Sequence, residues 1–200
     1  NEGIAEAIST FRVAADFCEK YDNFIFNHNE SVLYEWVEEN EPELFNRIQE
    51  LVKKGKWRIM GGWYLQPDCT MPSAEGFLRQ IEVGNAYFKE KFGVKPSTAI
   101  NFDPFGHTRG LVQILKKTGY HSYLFMRPHN IVGDDTDFIW KGYDGSEIIG
   151  HSMWGGYNCA RGEVTKKIDR FLEESHDGAN LMLWGVGNHG GGPSKIDLDK

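Results

Sequence analysis

The chain has 200 residues, which suits one domain of ordinary size or a large piece of a longer protein. An apolar share of 40% with 14% aromatics supplies enough side chain for a packed core and excludes a disordered chain. A formal net charge of −7 argues against a nucleic-acid or anionic-membrane surface, either of which wants a basic stripe.

In chain order, the spacing predicts a helix over Ile4 to Tyr21, with Phe11, Ala15 and Cys18 on one face, and then a short buried strand at Phe24-Ile25-Phe26. A second helical stretch runs from about Glu30 to Lys54. It is broken near Pro42, and Gly55 stands where a left-handed cap would end it. Trp57 to Met60 reads as a strand. Ser73 to Phe92 reads as a helix that opens Pro72-Ser73-Ala74-Glu75, with acid in its first turn.

Next come a strand at Thr98 to Asn101, a helix from Arg109 to Thr118 and a strand at Ser122 to Phe125. Phe138-Ile139-Trp140 and Glu147-Ile148-Ile149, joined across Tyr143-Asp144-Gly145, form a predicted hairpin. A helix from Glu163 to Glu174 leads to a strand at Asn180 to Leu183. Alternating strands and helices imply βαβ units and a largely parallel sheet. The expected fold is α/β, a parallel β/α barrel left incomplete in this chain. Residues 1–200 are expected to form one domain.

Three cysteines, Cys18, Cys69 and Cys159, are too few and too widely spaced for a disulfide framework or a Cys-x-x-Cys metal clip, which favours a reducing, cytoplasmic setting. No apolar run approaches the roughly 20 residues of a membrane span, so no membrane partner is expected.

Active sites of parallel β/α folds gather at the carboxyl ends of the strands. Four segments fall there: Gly61 to Asp68, Phe102 to His107, Met126 to His129, and Gly185 to Pro193. Each mixes polar groups with aromatic residues or glycine, as a sugar site does, with ring faces for C–H patches and Asp, Arg and Asn for hydroxyls. Glycoside cleavage further needs a carboxylate at the anomeric carbon, as nucleophile or charge stabiliser. Asp103 suits that role, because Pro104 fixes the backbone after it and Gly106 permits a sharp turn. The alternative is that Asp103-Pro104 merely opens a turn.

Asp103-Pro104-Phe105-Gly106-His107, followed by Leu111 to Leu115 and Gly119, resembles the nucleophile segment of glycoside hydrolase family 38, the α-mannosidases. Gly61-Gly62-Trp63 through Pro67-Asp68, Pro72 to Glu75 and Arg79-Gln80 are similar to that family too, as is Gly187 to Pro193 to its bacterial branch. The resemblance implies a seven-stranded β/α fold and zinc-assisted, retaining hydrolysis of terminal α-D-mannosides. Asp103 would be both nucleophile and zinc ligand, with the zinc holding the sugar's 2- and 3-hydroxyls. Arg127 falls where the family places an arginine beside the nucleophile, and Phe105 would pack at the sugar ring.

The family's other zinc ligands come from a His-x-Asp segment and a later histidine. No His-x-Asp occurs here, so the remaining ligands are expected outside this chain, and the chain alone, a fragment of a longer multidomain enzyme, is expected to be inactive. Some relatives carry Asp where this chain has Asn188-His189. His189 could transfer the proton, with an ordinary pKa near ~6.5, while the Asn188 amide would bond a hydroxyl. Asp68 is a further candidate carboxylate, and Trp63 either lines the site or packs in the core. His107 is expected to buttress the turn, and the Asp134 to Asp137 run reads as a solvated loop rather than a calcium loop.

Two other functions remain open. A deacetylase-like metal enzyme on a similar barrel would want two histidines on one helix, and no pair at i, i+4 occurs. A non-catalytic sugar-binding module would use Asp103 and Arg127 only to bond hydroxyls. The expected partner is a mannose-containing oligosaccharide and not a nucleic acid. A homo-oligomer stays open for the full-length enzyme.

Overall fold

Pro42 has no N–H to donate, and the helical stretch after the first strand divides there. The computed structural model describes residues 2–128, 136–174, 181–187 and 192–200. Within them α1 (Glu2–Lys20) leads into β1 (Phe26–Glu30), then α2 (Ser31–Asn40) and α3 (Pro42–Lys53). Gly55, at φ 73°, takes the left-handed turn that ends α3, and Lys56 N–H closes it on the Leu51 carbonyl at 2.9 Å. Next come β2 (Trp57–Trp63), α4 (Ala74–Phe92), β3 (Thr98–Asn101), α5 (Gly110–Thr118) and β4 (Ser122–Phe125). The chain continues through β5 (Asp137–Lys141), β6 (Glu147–Ser152), α6 (Val164–Glu174) and α7 (Lys195–Leu198). Ser73 caps α4, its hydroxyl accepting from Gly76 N–H at 3.2 Å.

Two expectations shift. The first strand begins at Phe26, opposite Trp57, and runs through Asn27, His28, Asn29 and Glu30. Its apolar prelude, Phe24, packs on Phe17 instead. A strand this polar gives no hydrophobic signal. The strand expected at Asn180 to Leu183 is a correction: 181–183 carry no regular structure, and Asn180 lies outside the described residues. The Leu183 carbonyl accepts from the Lys167 ammonium rather than from a neighbouring strand.

The strands form two sheets among the described residues. One pairs β1 with β2 in parallel; the other has the order β3-β4-β6-β5, parallel except for the β5–β6 hairpin. Among the described residues the fold is thus mixed α/β with mostly parallel pairing, as expected, and its sheets do not close into a barrel. β2 and β3 lie beside each other without a ladder, and the Trp63 indole N–H crosses the seam to the Ile100 carbonyl at 2.8 Å.

Two apolar clusters hold the layers together. Phe11, Tyr34, Ile48, Trp57 and Phe88 fill the space between α1 to α4 and the first sheet, where Trp57 Nε1 donates to the Tyr34 hydroxyl at 2.8 Å. Trp63, Phe77, Ile81, Leu111, Leu115, Tyr123 and Phe125 pack the second sheet under α4 and α5. Full burial of such a side chain contributes about 1.5–3 kcal/mol, so these rings anchor the strand ends that carry polar loops.

Candidate functional site

The loops after β2, β3 and β4 meet at one edge and are bonded to each other. Phe102 N–H donates to Gln66 Oε1 at 3.1 Å, and the Asn101 side-chain amide donates to the Pro67 carbonyl at 2.7 Å. Gln66 N–H in turn reaches Glu30 Oε1, at the end of β1, at 2.9 Å. Desolvation raises the pKa of Glu30, and the bond from Gln66 opposes that shift.

On this platform Asp103 Oδ1 stands 2.8 Å from Arg127 Nε, and the Arg127 and Asp103 side chains are 41% and 39% exposed. Half-exposed pairs contribute little to stability, since solvent screens them. The paired oxygen Oδ1 is itself shielded, so a solute meets the remainder of the carboxylate and the guanidinium. Phe105 is 81% exposed, and the Arg127 guanidinium lies 5.5 Å from its ring centre. The structure thus brings together a carboxylate, a guanidinium and an open aromatic face, all three singled out in the sequence.

His107 faces inward from the same turn. Its Nε2 lies 2.5 Å from the Arg127 carbonyl and its Nδ1 lies 3.1 Å from the Tyr123 hydroxyl. The rings of Phe125 and Trp140 meet it edge-on at 4.7 and 5.9 Å. Burial pushes its pKa down, partly offset by the bond to the Arg127 carbonyl. It buttresses the turn, as expected.

The other candidates separate. Asp68 Oδ1 accepts from Thr70 N–H at 2.7 Å, Thr70 Oγ1 at 2.9 Å and Met71 N–H at 2.9 Å. The Thr70 backbone bond, foremost among these, holds its pKa below the usual range. Asp68 therefore shapes its own loop. Trp63 is wholly buried with its indole N–H bonded to Ile100, so the structure places it in the core and not on the site lining. Its two readings could not be told apart in the sequence, because Gly61-Gly62 before it hides whether the chain is still strand. Asn188 and His189 lie outside the described residues, as do His129 and the Asp134-Asp135 pair.

Sequence reasoning gave no part to Gln66, Asn101, Cys69 or Tyr123, which support the turn from below. Alternating burial in β4 could have marked Tyr123 as inward, but nothing local names its partner. Among the described residues, no three His, Cys, Asp or Glu side chains come close enough together to hold a metal ion. Asp103 offers oxygen ligands, yet it is paired with Arg127. These residues alone do not make up a zinc site.

A cavity of about 800 Å³ opens elsewhere, lined by Phe11, Phe26, His28, Trp36, Tyr157 and Asn158 among others, and Asp103, Phe105 and Arg127 are not on its wall. Cavity size and site chemistry thus disagree, and the convergent polar groups are the better guide to function. No described helix is long and apolar enough to cross a membrane.

Residues 2–200 match the family described as "Glycosyl hydrolases family 38 N-terminal domain". The chain belongs to that family. Alpha-mannosidase G of Dictyostelium discoideum is 30% identical over 211 residues, spanning 96% of this chain and 18% of that protein. Alpha-mannosidase 2C1 of Homo sapiens is 29% identical over 205 residues, spanning 100% of this chain and 20% of that protein. The chain thus spans about a fifth of the length of these curated relatives. The crystal structure of an alpha-mannosidase from Enterococcus faecalis V583 superposes with a TM-score of 0.82 at 20% identity, covering 98% of this chain and 23% of that one. The 4-alpha-glucanotransferase of Thermococcus litoralis superposes at 0.71 and 19% identity, covering 99% of this chain and 33% of that one. The fold is therefore common to proteins named for different reactions, and residues rather than fold must carry the function of this family 38 domain.

Proposed function

We propose that this family 38 domain is the catalytic β/α part of a longer α-mannosidase that hydrolyses terminal α-D-mannosides with retention of configuration. The observation that carries it is the Asp103–Arg127 pair at 2.8 Å, beside the exposed Phe105 ring, on a strand-end platform. Asp103 attacks the anomeric carbon as the aglycone leaves, giving a mannosyl ester on its carboxylate. Water then displaces Asp103 from the face the aglycone left, so two inversions restore the configuration. Arg127 orients the carboxylate, and Phe105 packs against the sugar's C–H face.

His189 is our candidate acid/base, with Asn188 on a sugar hydroxyl; Asp68, whose Oδ1 holds its own loop, would bond a hydroxyl through its second oxygen. Zinc, when bound, would polarise and hold vicinal hydroxyls; its ligands beyond Asp103 would come from outside this chain. The natural partner would be a mannose-containing oligosaccharide. Three buried cysteines, all free thiols, support a reducing, cytoplasmic compartment.

The test uses the full-length enzyme and a 2-deoxy-2-fluoro-mannosyl fluoride, which slows breakdown of the ester. Mass spectrometry of the digest is expected to find the mannosyl adduct on Asp103. In Asp103→Ala, added azide should restore turnover and yield the β-mannosyl azide. An adduct on another carboxylate, or rescue giving the α-azide, would refute the assignment.

A further inference from the structure

We infer that His107 is a positioning residue that fixes Arg127 against Asp103 through a directed hydrogen-bond chain from Asn101 and Cys69. This rests on the proposed role of Asp103. The direction of the chain follows from which groups can donate. The Arg127 carbonyl can only accept, so His107 Nε2, 2.5 Å away, carries the hydrogen. The buried ring is kept neutral by desolvation, which leaves Nδ1 as an acceptor.

The Tyr123 hydroxyl, 3.1 Å from Nδ1, must then donate to it. That commits Tyr123's single proton, so at the 3.3 Å contact with Cys69 the thiol donates and the tyrosine oxygen accepts. The Cys69 sulfur accepts in turn from the Asn101 amide at 3.1 Å, whose other hydrogen goes to the Pro67 carbonyl at 2.7 Å. The thiol's nearer acceptor is the Tyr123 oxygen, the Pro67 carbonyl standing 3.8 Å from the sulfur, and the row beneath serves the His107 tautomer that the Arg127 carbonyl requires.

The consequence lies in the turn. Asp103 grips Arg127 by its side chain and His107 grips the same residue by its carbonyl, so the turn is clasped to the end of β4 at two points. The guanidinium is thereby held over Phe105. Releasing the carbonyl lets the Arg127 backbone drift and takes the guanidinium off the carboxylate. Tyr123 and Cys69 are wholly buried and cannot touch substrate; they act only through His107.

The experiment compares His107→Leu, His107→Gln and Tyr123→Phe in the full-length enzyme. Gln keeps an N–H within reach of the Arg127 carbonyl, Leu keeps bulk but no donor, and Phe removes the hydroxyl that donates to Nδ1. Thermal midpoints identify variants that fold, and Tyr123→Phe serves if Leu does not. Two readouts are taken: the rate of mannosyl labelling at Asp103, and the Arg127–Asp103 distance in crystals. Expected are labelling about 100-fold slower in Leu with KM little changed, a smaller loss in Phe, and near-native rates in Gln. The Arg127 Nε–Asp103 Oδ1 distance should exceed about 4 Å in Leu and stay near its native length in Gln. An unmoved ion pair in a folded Leu variant, or equal losses in Leu and Gln, overturns the inference. Failure of wild-type enzyme to label at Asp103 instead refutes the proposed function, and the crystal distances still decide the role of His107.

Discussion

Replacing Gly84 by Ala tests how closely α4 sits on β2. A methyl group at Gly84 would stand 2.3 Å from the Gly62 carbonyl oxygen, 2.4 Å from the Trp63 carbonyl carbon and 2.5 Å from Tyr64 N. All three are main-chain atoms, so no rotamer relieves the clash. The helix must retreat by about 1 Å to restore ordinary contacts of about 3.5 Å. That retreat loosens Phe77, Ile81 and Phe88, which α4 buries. Overpacking of this kind costs about 1–3 kcal/mol, and a backbone clash belongs at the upper end. Alanine returns about 1 kcal/mol of helix propensity, so the net loss is about 2 kcal/mol.

For a chain of this size each kcal/mol moves the thermal midpoint by about 2–4 °C, giving a drop of about 4–8 °C. Gly76→Ala is the control: it lies on the same helix, and its new Cβ meets only side-chain atoms, Pro72 at 3.3 Å and the Ser73 hydroxyl at 3.8 Å. Its midpoint should hold or rise. The pair can be compared by circular-dichroism melts under one buffer. The displacement should also reach the site, because Tyr64 and Leu65 N–H groups are bonded to the Gln80 carbonyl and side chain, just before Gln66. If Gly84→Ala melts at or above Gly76→Ala, the close seat of α4 on β2 is wrong.

Trp63→Phe removes the indole donor and strands the Ile100 carbonyl at the seam between β2 and β3; a loss of about 1–3 kcal/mol in urea unfolding is expected, and no loss would mean the bond does not tie the seam. His28 gives a pH dependence. Burial lowers its pKa to about 4, and its Nδ1 is shielded with no hydrogen-bond partner. The unfolded chain therefore binds the proton first. The contribution of neutral His28 is complete above the unfolded value of about 6.5 and is lost as pH falls from there toward about 4. Unfolding midpoints of wild type and His28→Phe should diverge across that window; parallel curves would sink the assignment.

Local chemistry in the sequence determined much of this protein. Pro42, Gly55, Ser73, Gly93 and Gly119 punctuate the helices where turn and cap rules place them, and the strands at Thr98 and Ser122 keep the limits read from their apolar runs. Asp103, Phe105 and Arg127 were legible because strand-end position and side-chain chemistry are both written locally, and their motif resembles the family that residues 2–200 match. Other features depended on distant partners. The polar strand β1 exists because it pairs with Trp57 onward, and Leu181 to Leu183 is no strand because apolar character alone supplies no ladder. Trp63 turned inward to bridge a seam that periodicity cannot see. Likewise, His107, Tyr123, Cys69 and Asn101 come from three separate segments, and only their packing sets the donor order behind Arg127. A residue type fixes what a group can donate or accept; which group it meets is decided by the folded chain.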